Sequence, residues 1–191
     1  MESIWTKTYD RKKNSPLESD IDAEAAVIGG GMAGILTAWR LQKAGICTVV
    51  LEADQIGGGQ TKNTTAKITS QHGLFCHTFI EKKGKETAEK YLQANQQAVD
   101  EYKRIICEEN IDCDLTEADA YVYSSDGGRL RQETEAAQRL GMNASFEPQI
   151  EIPVACAGAV RFPDQAHFHP LKFIGALADH LTVYEDTPVT E

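Results

Sequence analysis

The chain has 191 residues, a formal net charge of −10 and a pI near 5.0. With no basic cluster longer than Arg11-Lys12-Lys13, this acidity argues against nucleic acid as a partner, and no apolar run approaches the roughly 18 residues that cross a bilayer, so no membrane partner is expected. The five cysteines are odd in number and show no C-x-x-C pair, which predicts a reduced, cytoplasmic setting and no structural zinc.

Residues 1–21 read as an extended leader. Pro16 and the surrounding charges argue against a helix, and Trp5 and Tyr9 are its candidate anchors. The polar start lacks the apolar core of a signal peptide. From 22 to 53 the pattern is strand, glycine turn, helix, strand. Ala25-Ala26-Val27-Ile28 enters Gly29-Gly30-Gly31-Met32-Ala33-Gly34, which fits G-x-G-x-x-G at Gly29, Gly31 and Gly34. Met32, Ile35, Leu36 and Trp39 then recur on one helical face, and Gly45 supplies the stop. A β-branched run, 46–51, ends on Glu52.

Each part of that unit has a physical task. Gly29 permits the tight turn, Gly31 lets backbone approach a pyrophosphate, and Gly34 lets helix and strand pack closely. The helix N-terminus favours phosphate charge. Glu52 is placed to accept hydrogen bonds from a ribose 2′-hydroxyl, and its charge repels a 2′-phosphate, which disfavours NADP. A lone glycine fingerprint often marks only a turn. Here the preceding strand, the following helix and the acid eighteen residues past Gly34 supply the context that a dinucleotide site requires.

Gly57-Gly58-Gly59 and the short hydroxyl residues that follow to Ser70 form a loop rich in backbone N–H groups, suited to a phosphate and the edge of a planar ring. A solvated polar loop has the same composition, but the position just after a strand's carboxyl end favours ligand binding. A long amphipathic helix is predicted over 86–109, a strand over 119–124 with a turn at 126–128, a helix over 129–140 and a strand region over 154–162. Pro170 suits the first position of a further helix, and Thr182-Val183-Tyr184-Glu185 reads as a third parallel strand.

VIGGGMAG, VVLEAD and GGGQTKNTTAKITSQHG together resemble the N-terminal part of FAD-dependent oxidoreductases of the D-amino-acid oxidase and glycine oxidase type. TTAKITSQHG looks most like the bacterial subgroup that carries a C-terminal Rieske iron–sulfur domain. The similarity runs on through 162–166, 169–171 and 187–189. It implies an α/β fold in which a doubly wound, Rossmann-like FAD-binding domain (22–82 and 166–191) is interrupted by a helical and α+β substrate domain (83–165). It further implies that Met32 and Ala33 meet the FAD pyrophosphate and that Glu52 and Ala53 take the adenosine ribose. Gln60 and Thr61 would lie over the phosphates and ribityl chain. Thr65, Ala66 and Lys67 would border the isoalloxazine, and Val189 would contact the adenine through its backbone. Gly59-Gln60-Thr61-Lys62 departs from relatives that carry an arginine or a further small residue there.

The implied activity is FAD-dependent oxidation of a small substrate, an amine or amino acid, by hydride transfer to flavin, with an iron–sulfur domain as a possible electron partner. The alternative is a dinucleotide-binding protein without turnover. Only three strands of the about five or six that a doubly wound domain needs are visible, around Val27, Val49 and Val183. The expectation is therefore that the 191 residues are the N-terminal part of a longer protein. Other candidates carry less. His167, His169, Cys76 and His77 lack the second ligand pair of a zinc or Rieske site, and His169 fits a helix cap better. His72 is a candidate for touching the flavin. Cys76 and Tyr121 are expected to be packing residues, and no catalytic protein nucleophile is identified, as expected where a cofactor performs the chemistry.

Overall fold

A computed structural model describes residues 2–190. In chain order its elements are α1 (Ile4–Thr8), β1 (Ala25–Ile28), α2 (Met32–Lys43), β2 (Thr48–Leu51), a 3-10 helix (Gln60–Asn63), β3 (Lys67–Ile68), α3 (Cys76–Lys83), α4 (Lys85–Glu108), β4 (Thr116–Tyr123), α5 (Gly127–Arg139), β5 (Ser145–Glu147), β6 (Ala159–His167), α6 (Pro170–Ala178) and β7 (Thr182–Tyr184). They form two units. The first comprises residues up to Ala66, Glu109–Asp114 and residues from Phe168 onward; the second comprises Lys67–Glu108 and Leu115–His167. The chain thus passes into the second unit at Lys67 and finally leaves it after His167.

In the first unit, β1, β2 and β7 form a parallel sheet with β2 in the middle. The predicted βαβ arrangement and third parallel strand are present. Helix α2 buries Ile35, Ala38 and Trp39, whereas Met32 and Leu36 are half-buried, so its inward face is turned slightly from the predicted one. Phe173, Ile174 and Leu177 of α6 complete this core with Val50 of β2, and α6 packs against α2.

The leader is not wholly extended. Ser3 caps α1 by accepting the Trp5 N–H, and the Trp5 indole donates to the Thr64 carbonyl at 2.9 Å. Pro16 lies beyond this helix, so the argument drawn from it never reached Ile4–Thr8. A five-residue helix is too short to persist alone; its contacts with the rest of the unit hold it.

In the second unit, β6 is the central strand of an antiparallel sheet, with β4 along one edge and β3 and β5 along the other. The strand expected over 154–162 lies instead at Ala159–His167. Pro163 and the left-handed Asp164 (φ +59°) interrupt its sequence pattern, and the register with β4 shifts between Ala118 and Ala120. A bulge is where a strand tolerates proline. The expected turn at 126–128 is the start of α5, where the Asp126 carboxylate accepts the Arg129 N–H. Leu92, Leu130, Leu140, Val160 and Phe162 form the core between the sheet and its helices.

Candidate functional site

The glycine turn of the first unit is fixed by backbone contact. Gly29 has φ +101°, and its N–H donates to the Leu51 carbonyl at 2.9 Å. A Cβ on Gly34 would stand 1.9 Å from the Gly29 carbonyl oxygen, so α2 packs against the turn only because residue 34 has no side chain. Gly31 is different. Its backbone is extended, and a Cβ there would meet nothing nearer than Thr61 Oγ1 at 3.6 Å. No protein neighbour therefore requires a glycine at 31, and the space in front of it suits the close approach of a phosphate.

Helix α2 has no side-chain cap from Gly31. Instead the Thr61 hydroxyl, carried in by the 3-10 helix, accepts the Met32 N–H at 3.1 Å. Thr61 thus takes the Met32 N–H at the start of the helix. Ala33 and Gly34 have no carbonyl four residues back within the helix, so their amides remain aimed out of its N-terminus. The Thr61 hydroxyl still has its own proton to donate.

Glu52 closes the other side. One carboxylate oxygen accepts the Gly30 N–H at 2.5 Å and the other the Asp54 N–H at 2.9 Å. The acid thereby holds the glycine turn and the loop after β2 in register. A carboxylate offers about four acceptor positions, so these two bonds leave capacity for a ribose hydroxyl. Ala53 and Gln60 are exposed beside this cluster in sequence.

The loop is anchored from beneath by a group that sequence reasoning did not select. Glu185, just past β7, is 1% exposed and accepts the Ile56 N–H at 2.6 Å, the Asn14 N–H at 2.5 Å and Arg11 Nη1 at 3.2 Å. Gly57, at φ +72°, passes against α6 so closely that a Cβ would lie 2.5 Å from Leu171 Cδ2. Farther on, Thr65 is exposed, while Ala66 is buried and left-handed at φ +57°. That conformation is disfavoured for a residue with a Cβ, and its presence among the candidate site residues is notable because such strain concentrates at functional sites. Lys67 is exposed and opens the second unit, and Val189 is 49% exposed in the first.

The remaining candidates sort by their contacts. His169 caps α6, its Nδ1 accepting the Lys172 N–H while Nε2 meets Thr8 Oγ1 at 3.0 Å. Burial, aided by Lys172, lowers its pKa and favours the neutral ring that this cap needs. Cys76 is buried, and desolvation together with Glu133 pushes its thiol pKa well up, so it is a packing residue without thiolate character. Tyr121 is not: it is 46% exposed on the sheet, contrary to the packing expectation. His72 is exposed and bonded to Asn95 Oδ1 at 3.0 Å.

A family model described as FAD dependent oxidoreductase matches residues 24–191. A Bacillus subtilis (strain 168) protein named for a Rieske 2Fe-2S iron-sulfur centre, YhfW, is 36% identical over 194 residues, covering 97% of this chain and 38% of that protein. Gamma-glutamylputrescine oxidoreductase of Escherichia coli (strain K12) is 26% identical over 193 residues, covering 92% of this chain and 44% of that protein. The crystal structure of L-proline dehydrogenase from P. horikoshii shares the fold at a TM-score of 0.71 and 19% identity, covering 88% of this chain and 45% of that one. The chain spans less than half the length of these relatives. Among the described residues, no helix is long and apolar enough to cross a membrane.

Proposed function

The chain belongs to the family of FAD-dependent oxidoreductases typified by D-amino-acid oxidase, and from that premise we propose that its first unit holds the ADP half of FAD in an enzyme oxidising a small amine or amino acid. The observation that carries the reading is Gly31, where the protein itself leaves room for a Cβ and a phosphate would take that space instead. The Ala33 and Gly34 amides would donate to the pyrophosphate, with the Thr61 hydroxyl beside them, and Met32 would act through the bond that fixes Thr61. Glu52 would accept the ribose hydroxyl, with Ala53 alongside. Gln60 would cover the phosphates and ribityl chain, and Val189 would meet the adenine through its backbone. Thr65, Ala66 and Lys67 would border the ring, and the Lys67 ammonium would stabilise negative charge there.

Bound FAD supplies the two-electron acceptor for substrate oxidation. The similarity to YhfW over nearly the whole chain favours an iron–sulfur domain as the next electron carrier. The protein itself need only bind, orient and exclude water. An FAD titration followed by visible spectra, then an anaerobic panel of amines and amino acids, tests this. Stoichiometric flavin that bleaches with one of these substrates supports it. Bound flavin that no amine or amino acid bleaches would favour a binding protein without turnover.

A further inference from the structure

Helix α1 reaches the loop after β2 through one side chain. Ser3 starts the helix by accepting the Trp5 N–H at 3.1 Å, and the Thr6 hydroxyl donates back to the Ser3 carbonyl at 2.9 Å. The Trp5 indole then donates to the Thr64 carbonyl, 59 residues on, at 2.9 Å. Its ring stands edge-to-face on the buried His169, with centroids 5.1 Å apart at 69°. His169 is itself fixed. Its N–H donates to the Cys113 carbonyl at 2.7 Å, Nδ1 accepts the Lys172 N–H and Nε2 meets the Thr8 hydroxyl at 3.0 Å. Tyr9, at the end of α1, sets a second ring edge on His169 at 5.8 Å, and its hydroxyl fills a notch at Gly175 that a Cβ would close. The indole is thus seated on an imidazole that cannot turn.

What the indole holds is the segment 64–66. The Thr64 hydroxyl accepts the Ala66 N–H at 3.2 Å, the Phe168 N–H donates to the Ala66 carbonyl at 3.2 Å, and Ala66 is left-handed at φ +57°. These contacts fix the far end of the segment, and Trp5 fixes the near end. A trans peptide unit is planar, with its C=O and N–H on opposite edges. Holding the Thr64 carbonyl on Trp5 therefore turns the Thr65 N–H, the other edge of the same plane, away from the leader. Without the indole the plane can rotate about the soft torsions on either side of it. Thr64 is exposed, so water can replace the indole as a donor, but water cannot fix the direction of the plane.

We propose that Trp5 is a positioning residue for bound FAD: by holding the Thr64 carbonyl it presents the Thr65 N–H, and with it the turn at Ala66, to the flavin end of the cofactor. The inference rests on the reading that Thr65 and Ala66 border the isoalloxazine, and it makes the leader a working part of that site. Every residue in this set of contacts belongs to the first unit. On the other flank of Thr64, the Thr61 hydroxyl is held independently by the Met32 N–H. Trp5 therefore acts on the flavin end and leaves the ADP end, where Glu52 and the glycine turn lie, as it was. A merely structural role would not separate the two ends.

The test compares the whole parent chain with Trp5→Phe, which keeps a ring against His169 and loses the donor. By 15N relaxation on the unliganded proteins, the order parameter of the Thr65 amide should sit near the rigid value of about 0.85 in the parent and fall to about 0.6 in the variant. Those of α2 and α6 should not change. Titrations should show FAD weakened about two- to tenfold, the loss of one neutral hydrogen bond, and ADP unaffected. An unaltered Thr65 order parameter, an unaltered FAD affinity, or equal weakening of FAD and ADP would each overturn the proposal. A parent that binds neither ligand would refute the dinucleotide reading and the positioning role with it. The relaxation measurement needs no ligand, so the two failures are told apart.

Discussion

Removing the Glu185 carboxylate should cost more stability than any other single polar change in the first unit. Its side chain is 2% exposed and accepts two backbone N–H groups and one guanidinium, so Glu185→Ala strands the Ile56 and Asn14 amides and leaves Arg11 with Asn14 and Asp179. Hydrogen bonds to a charged group contribute about 1.5–3 kcal/mol each. Simple addition over three overstates the loss, because the Arg11 side chain is 16% exposed and water reaches it. Breaking a buried pair from one side costs about 3–5 kcal/mol, which is the expected magnitude. With a urea dependence near 2 kcal/mol per molar, the unfolding midpoint should fall by about 2 M. Glu185→Gln, which keeps one acceptor, should lose less. The same change should free the leader, so trypsin should cut at Lys12 or Lys13 much faster. A midpoint within about 0.3 M of the parent, with the leader still protected, would refute the view that Glu185 anchors leader and loop together.

Three further changes probe separate parts of the account. Gly34→Ala should destabilise by about 1–3 kcal/mol from the clash with Gly29, outweighing any gain in helix propensity, as read from denaturant midpoints. Ala66→Gly should be neutral or stabilising by up to about 1–2 kcal/mol, since it relieves a left-handed alanine; a clear loss in the same melts would show that the methyl's packing outweighs the strain. His169 has a lowered pKa in the fold, so its contribution is complete above the unfolded value near 6.5 and is lost as pH falls through the folded value. His169→Asn keeps a cap acceptor and should flatten that part of the stability–pH curve, measured by melts between about pH 7.5 and 5.

The βαβ unit was legible because its signals are local: an apolar run, glycines at fixed offsets and an acid at a strand end. The third parallel strand was legible for the same reason. Strand β6 was displaced in the reading because Pro163 and Asp164 look like a turn, and only pairing with β4 across a bulge reveals a strand. Helix α1 was missed because tertiary contacts at Trp5 stabilise it rather than its own length. In the candidate site, Gly34 could be read from spacing alone. The capture of the Met32 N–H by Thr61 could not, since it joins residues 29 apart. Glu185 gave no sequence signal beyond ending an apolar strand.

The central claim is that the glycine turn and Glu52 form a dinucleotide site, and calorimetric titration of the chain with ADP and with 2′-phosphorylated ADP tests it most directly. ADP should bind more tightly than its 2′-phosphorylated form, because the Glu52 charge meets that phosphate. Glu52→Ala should weaken ADP by about 1.5–3 kcal/mol, or roughly 10- to 150-fold, and should erase much of the discrimination between the two ligands. Equal affinity for both ligands in the parent, or ADP binding unchanged by Glu52→Ala, would contradict the account.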